Sequence, residues 1–264
     1  MAFDVASVKA IPQALQHAPT FPLDNRNAFV PGGRFSATFP LWVYIKFAYK
    51  LSSSEARSTL VHLPAWVNSY TDLFAIDARA QGNPTKDQMR LMMQSLLADR
   101  FRFAAHFETH EIPVLALSLV RSGQTGPKLR PHSEGQPCPD YASSASPTPV
   151  APHADVFPPV CDTLALQLNG MNERLGSRNT DISLLADAIS ETHAVNQLVI
   201  DRTGLVGTFD FTLDYNVENT SVPSDSDETS FLTAMREQLG LKLVASRAPI
   251  RGLVVDHVER PSDN

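Results

Sequence analysis

Pro84-Thr85-Lys86-Asp87-Gln88-Met89-Arg90-Leu91-Met92-Met93-Gln94-Ser95-Leu96-Leu97-Ala98-Asp99-Arg100-Phe101-Arg102-Phe103 carries the strongest structural signal in the chain. Thr85 followed three residues later by Gln88 is a capping box, which satisfies orphan amides at a helix start. Behind it Met89, Met92, Leu96 and Leu97 recur at the helical period and form one apolar stripe. Methionines at this spacing fill a core before they form a cofactor box. After Phe101 the pattern changes to strands, expected over Arg102 to Glu108 and Ile112 to Arg121, with Thr109-His110-Glu111 as a hairpin turn between them.

The same transition occurs a second time. Arg236-Glu237-Gln238-Leu239-Gly240-Leu241-Lys242-Leu243 aligns with the helix end above, and Ala248-Pro249-Ile250-Arg251-Gly252-Leu253-Val254-Val255 aligns with Glu111-Ile112-Pro113-Val114-Leu115-Ala116-Leu117. Working outward, each half gives strand, helix, strand, helix and two closing strands. In the first half a strand over Arg34 to Phe39 leads into a helix with Pro40 at its first position and Leu41, Tyr44, Ile45 and Ala48 on one face, followed by a strand over Leu73 to Ala80. In the second half a strand over Asn172 to Asn179 meets a helix capped by Thr180, with Ile182, Leu185, Ala186 and Ile189 as its stripe. Leu198 to Ile200, the turn Asp201 to Gly204 and the strictly alternating Thr208 to Tyr215 come next. A polar loop over Glu218 to Asp227 precedes a helix with Phe231, Ala234, Met235 and Leu239 aligned and Gly240 at its end. The closing strands are Leu241 to Ser246 and Ile250 to Val258. The expected fold class is α+β: two similar lobes from an internal duplication, each a small, mostly antiparallel sheet with two helices on one face. The lobes are placed at 1–122 and 163–264, with a Pro/Ser-rich connecting loop at 123–162.

Composition narrows the class. With 43% hydrophobic and 19% charged residues in 264, the chain has the material for one large core or two small ones. No run reaches the roughly 18 to 20 apolar residues of a membrane helix. A net charge of -6 gives the whole molecule no electrostatic reason to seek nucleic acid. Residues 1–130 hold 14 Lys/Arg and 9 Asp/Glu, and 131–264 hold 8 and 19, so the halves carry +5 and -11. That contrast suits docking of two lobes, or a groove between them with a basic and an acidic side. The beginning, Met1 to Lys9, alternates like a strand and has no signal-peptide pattern.

Cys138 and Cys161, the only cysteines, bracket the Pro/Ser-rich segment. A disulfide closing that loop is worth about 3 kcal/mol in the chain-entropy model, and neither cysteine has the spacing of a metal site. The alternative is two unrelated free thiols in a cytoplasmic protein; the disulfide favours an extracellular or periplasmic location, with Met1-Ala2 replacing a removed leader.

Particular residues carry a family resemblance. Phe3–Lys9 (FDVASVK), Gly32–Phe35 (GGRF), Leu63–Trp66 (LPAW), Met89–Met92 (MRLM) with Leu96–Phe101 (LLADRF), Asp201–Gly207 (DRTGLVG) with Phe209–Leu213 (FDFTL), Glu237–Leu241 (EQLGL) and Asp256–Ser262 (DHVERPS) resemble the soil-associated secreted protein family of bacteria, a domain of unknown function. The resemblance implies export. Because the family domain also occurs attached to membrane-bound zinc-peptidase sensors, it implies a sensing or binding role in some relatives. It carries no catalytic residue. Phe39-Pro40-Leu41-Trp42 at a helix start and His62-Leu63-Pro64 at a usually glycine-rich turn depart from the family pattern. The half-unit resembles, in pattern only, the short N-terminal domain of secretins and TonB-dependent receptors.

Searches for chemistry return little. The chain has no G-x-S-x-G, S-x-x-K, H-E-x-x-H, P-loop or G-x-G-x-x-G. His106 and His110, with Glu108 and Glu111, form the densest His/carboxylate cluster, but on a strand His106 and His110 lie about 13 Å apart unless a turn bends them together. Asp256-His257 pairs an acid with a base whose side chains point to opposite faces of a strand, so His257 is read as packed or hydrogen-bonded locally. Arg202 offers itself to an anion, or simply belongs to a tight turn requiring Gly204. Trp66 is a ligand anchor or a core plug. Two readings follow. One is an exported, non-catalytic binding or sensing module for a peptide, glycan or small molecule, without cofactor. The other is an esterase-like hydrolase, metal-dependent or Ser/His, using His106, His110 or His257. An apolar or aromatic cleft favours the first; His and carboxylate groups converging within about 3 Å in a cleft favour the second.

Overall fold

The computed structural model describes residues 1–12, 17, 19–24, 29, 32–60, 63–135, 138, 157–158, 161–170, 172–192, 195, 197–216 and 231–261. His62, most of the Pro/Ser-rich segment, the polar loop over Glu218 to Asp227 and Ser262 lie outside the described residues. The architecture is α+β. Six helices and ten strands in three small sheets are formed among the described residues. No helix among them is long and apolar enough to cross a membrane.

The contacts divide the chain into two compact units, Met1–Ile112 with Ala248–Asn264, and Pro113–Arg247. These boundaries fall inside strands, whereas the sequence division at 122/123 and 162/163 follows the Pro/Ser-rich composition.

The first unit holds β1 (Val5–Pro12), β2 (Arg34–Phe39), α1 (Leu41–Ala48), α2 (Ser53–Thr59), α3 (Ala65–Asn68), β3 (Asp72–Arg79) and α4 (Lys86–Phe101). Its sheet has the antiparallel order β1-β3-β2, with Val8 opposite Ile76 and Ala37 opposite Ile76 on the other side. Both halves of the expected capping box are present on α4. Thr85 Oγ1 accepts the Gln88 N–H at 3.2 Å and Gln88 Oε1 accepts the Thr85 N–H at 2.8 Å. The stripe Met89, Met92, Leu96 and Leu97 is buried, as are Leu41, Tyr44, Ile45 and Ala48 of α1. Pro40 is the N-cap of α1 and not its first helical residue, because its ψ of 153° is extended. Tyr44, fully buried, ties helix to sheet. Its hydroxyl lies 2.7 Å from the Phe74 carbonyl and 2.9 Å from that of Ala37, and accepts the Phe39 N–H at 3.1 Å.

The second unit contains β5 (Leu129–Pro131), a single 3-10 turn (His132–Glu134), β6 (Leu164–Asn169), β7 (Asn172–Thr180), α5 (Ile182–Glu191), β8 (Val199–Asp201), β9 (Phe209–Asn216) and α6 (Phe231–Ala234), which continues as a π-turn over Met235–Leu239. Its sheet has the antiparallel order β5-β9-β7-β6. Strict alternation on β9 buries Phe209, Phe211 and Leu213 against Leu185, Ile189, Ala234, Met235 and Leu239. Gly240, at φ 69°, ends the helix as expected.

Two closing strands remain, β4 (Ala104–Leu119) and β10 (Leu241–His257), and both correct the sequence reading. Each is one continuous strand, and the hairpin through Thr109-His110-Glu111 does not form. Those residues are polar, but none is the Gly or Asn that a tight reversal needs. They lie in a run exposed on both faces of the strand, from Glu108 to Glu111. β4 lies between β10 and β8, and its parallel pairing with β8 spans only Leu115–Leu117, so Pro113 falls outside that register. The cap of α5 is a second correction. Asp181, not Thr180, accepts the Leu184 N–H, at 3.1 Å, while Thr180 ends β7.

Candidate functional site

Three places in the fold bear on function, and the first is an open hollow in the first unit. The start of α1 and the segment before β2 enclose about 310 Å³ lined by Pro19, Leu23, Asp24, Phe39, Val43, Lys46 and Tyr70. Phe39 ends β2 just before the helix, and Val43 and Lys46 lie three residues apart on α1, so both face the same side. The polar members are held. Lys46 donates to Ser53 Oγ at 2.9 Å and lies 5.4 Å from the centre of the Trp42 ring, while Asp24 accepts from the buried Lys86 at 2.7 Å. Tyr70 is 62% exposed, a large aromatic surface at the rim.

The second place is the histidine ladder. A continuous β4 puts His106, Glu108 and His110 on one face at a spacing of two. Glu108 sits between the histidines, with His106 Nε2 2.9 Å from Oε1 and His110 Nε2 2.8 Å from Oε2. His106 Nδ1 meets Asp256 of β10 at 2.9 Å. Both ring nitrogens of His106 therefore face carboxylate oxygens, an arrangement satisfied in full by the doubly protonated ring. Hydrogen bonds donated to Glu108 first, and then to Asp256, hold its pKa above the ordinary value. The Glu108 carboxyl is lowered chiefly by His106, with His110 adding to the effect. With a carboxylate oxygen on each ring nitrogen, His106 presents neither nitrogen to a substrate or a metal ion in this arrangement. Among the described residues no group of three or more His, Cys, Asp or Glu is placed to hold a metal ion.

The other sequence candidates are dispersed. His257, exposed, pairs with Glu259 at 2.8 Å. Trp66 is half-buried, edge-on to Phe74 at 5.9 Å, with the Arg260 guanidinium 5.0 Å from its ring centre. Arg202 is exposed in a turn fixed by Asp201, whose Oδ1 accepts from the Thr203 N–H at 2.8 Å and its hydroxyl at 2.7 Å. The turn continues through Gly204 at φ 73°. His106 and His110 share Glu108, while His257 and Trp66 have the separate partners Glu259 and Arg260.

The third place is in the second unit. Alternation that buries Phe209 and Phe211 turns Asp210 to the opposite face of β9, beside Arg130 of β5. The 3-10 turn after β5 then delivers His132, whose N–H donates to the Thr208 carbonyl at 2.8 Å. His132 Nδ1 lies 2.7 Å from Asp210 Oδ1, which also accepts the Asn179 N–H at 2.9 Å. The Arg178 Nε, on a buried side chain, is 4.0 Å from Oδ2. Gly135 accommodates this carboxylate, since a Cβ there would stand 2.3 Å from Asp210 Oδ2. On the far side of the ring, His132 Nε2 is 3.5 Å from the Sγ of Cys138, and Cys138 and Cys161 stand at disulfide distance.

The model of one protein family, described as a protein of unknown function (DUF3738), matches residues 43–258. The chain belongs to that family. No curated protein and no solved structure matches it. The match to DUF3738 spans the ladder, the His132 cluster and both cysteines, as well as Val43, Lys46 and Tyr70 of the hollow. In this DUF3738 chain the sequence reading missed Asp256 as the partner of His106 and missed His132 with Asp210 altogether. One signal for the latter was available. His132 lies six residues before Cys138, and Asp210 occupies an outward position on the best-alternating strand.

Proposed function

We propose that this DUF3738 chain is an exported, non-catalytic binding or sensing module for a peptide, glycan or small molecule, and that the hollow beside α1 takes the ligand. The observation that carries this reading is the lining: Pro19, Leu23, Phe39, Val43 and Tyr70 supply apolar and aromatic surface, and among the described residues that line it there is neither a histidine nor a thiol. Its volume is at the lower end of small-molecule sites. Lys46 and Asp24 at its edge suit a ligand with a polar end. The cysteine pair at disulfide distance supports export. The ladder weighs against hydrolysis, because His106 is occupied on both nitrogens.

An internal duplication is part of the same reading. The order β1-β3-β2 in one unit has a counterpart in β5-β9-β7 of the other. Phe101-Arg102-Phe103 and Leu239-Gly240-Leu241 both leave their helices through a left-handed residue, at φ 50° and 69°.

The test is a methyl and aromatic NMR titration of the purified chain with a panel of apolar peptides, oligosaccharides and small aromatic acids. Shifts at Leu23, Val43 and Tyr70 that vanish in Val43→Asp support the proposal. Turnover of chromogenic esters that falls in His106→Ala overturns it in favour of an esterase-like hydrolase, and ligand shifts confined to another surface displace the site.

A further inference from the structure

The His132 cluster carries an inference independent of the binding reading. We infer that the Cys138–Cys161 disulfide is a thiol-exchange site in which Cys138 is the activated sulfur, His132 its proton acceptor and Asp210 the residue that positions His132. Its reaction partners are thiols: a small dithiol, or a dithiol on another protein.

The chemistry follows from the line Asp210 Oδ1, His132 Nδ1, His132 Nε2, Cys138 Sγ, with contacts of 2.7 Å at the first step and 3.5 Å at the last. A carboxylate only accepts, so the proton between Asp210 and His132 belongs to Nδ1, which leaves Nε2 facing the sulfur. Asp210 also accepts the Asn179 N–H and lies beside the Arg178 guanidinium, so it holds the ring in place and faces an imidazolium formed at His132. A thiol formed at Cys138 then passes its proton to Nε2 and persists as a thiolate beside His132⁺. Cys161 is 5% exposed and Cys138 half-buried, so Cys138 is the more exposed of the two and the one an external thiolate is taken to attack.

The exchange balances. One thiolate of the dithiol attacks Cys138 Sγ; a new S–S bond forms, the Cys138–Cys161 bond breaks, and its electron pair leaves on Cys161, which takes a proton. The second thiolate attacks the dithiol's own bonded sulfur and expels Cys138 as a thiolate, while the second proton rests on His132. The dithiol is oxidised by two electrons and the cysteine pair is reduced. A leaving thiol of low pKa leaves faster, so His132 assists the second step. In the reverse direction the Cys138 thiolate attacks a partner's disulfide and Cys161 resolves the mixed disulfide.

The experiment reduces the folded chain with a phosphine and alkylates it with iodoacetamide across pH 5 to 9, mapping each cysteine by mass spectrometry. Cys138 is expected to react about tenfold faster than Cys161 at pH 6.5, with a midpoint below the roughly 8.5 of a free thiol. His132→Gln is expected to move that midpoint back toward the free value, and Asp210→Asn to move it part of the way. Cys161→Ala, which leaves Cys138 free without any reduction, is expected to keep the wild-type profile. Equilibration with glutathione gives a readout that simple stapling would not move, with the reduced form favoured about tenfold more in wild type than in His132→Gln. An ordinary midpoint at Cys138 in both wild type and Cys161→Ala overturns the inference. So does a profile that His132→Gln leaves in place, or loss of the far-UV circular dichroism signal on reduction with both cysteines reacting alike.

Discussion

His106 Nδ1 lies 2.9 Å from Oδ2 of Asp256, 150 residues further along the chain, while its Nε2 faces Glu108. The His106 pKa is raised above the ordinary 6.5, so its contribution to stability is complete below 6.5 and is lost as pH rises through the raised value. The Glu108 pKa is lowered, so its contribution is present above the ordinary 4.5 and is lost as pH falls through the lowered value. The ladder is therefore intact between these two limits. All three side chains are about half exposed, which makes its share of total stability small. The local titration is the sharper readout. An NMR titration of the His106 ring should give a midpoint above 6.5 that falls in Glu108→Gln and, by less, in Asp256→Asn. An unshifted wild-type midpoint would show that the ladder does not hold in solution.

Burial pushes the Tyr44 phenol far up, so its hydroxyl stays protonated and keeps its bonds to Phe74, Ala37 and Phe39 at any pH where the chain is folded. Tyr44→Phe keeps the ring and deletes the oxygen, leaving a buried donor and two carbonyls short of a partner. The expected loss is about 1–3 kcal/mol in a urea unfolding curve with an unchanged slope. A loss under half a kilocalorie would mean that the helix-to-sheet tie is redundant.

How much of this was legible depended on sequence distance. The start of α4 could be read because Thr85 and Gln88 are three residues apart and act on each other directly. The core faces of α1, α5 and β9 were equally plain, since periodicity reports burial wherever one face is apolar. The break expected at Thr109-His110-Glu111 failed because local polarity marks exposure, and an exposed strand is as polar as a turn. Its replacement by a continuous strand is what places His110 beside Glu108. Asp256 and Asp210 could not be assigned as histidine partners from sequence alone, because each lies far along the chain, 150 and 78 residues away, and is brought back by strand pairing. The hollow was illegible for the same reason: Leu23, Val43 and Tyr70 come from three separate segments.

The shift of the α5 cap by one residue gives a paired prediction. Asp181 Oδ1 accepts the Leu184 N–H, and Ser183 donates to the same oxygen at 2.6 Å, so Asp181→Ala should cost about 1 kcal/mol. The Thr180 hydroxyl is buried with no hydrogen-bond partner among the described residues. Thr180→Val keeps the branched shape and removes that oxygen, so it should be neutral or stabilising by thermal melt. The reverse ranking would return the cap to Thr180.

Gly126 and Gly240 show that a glycine can be required by its neighbours as much as by its own dihedral angles. Gly126 has no positive φ, yet a Cβ on it would stand 2.4 Å from the Gln238 carbonyl oxygen and 2.5 Å from the Gly240 nitrogen, both backbone atoms. The close approach is what allows the Gly126 N–H to reach the Leu239 carbonyl at 2.8 Å and the Lys128 N–H to reach that of Gln238 at 2.9 Å, satisfying the end of the π-turn. Gly123, three residues earlier, is the matched control, with φ 73° and open space around its Cβ position. Gly123→Ala carries only the left-handed penalty of about 1–2 kcal/mol. Gly126→Ala must push two backbone segments apart and break their hydrogen bonds, at a cost of about 1–3 kcal/mol for the overpacking alone and more as the bonds open. Chemical denaturation of the two variants side by side should therefore give the lower midpoint to Gly126→Ala, although only Gly123 has a conformation that disfavours side chains. Equal midpoints would mean that the segment carrying Gly126 moves away from the helix end at no cost.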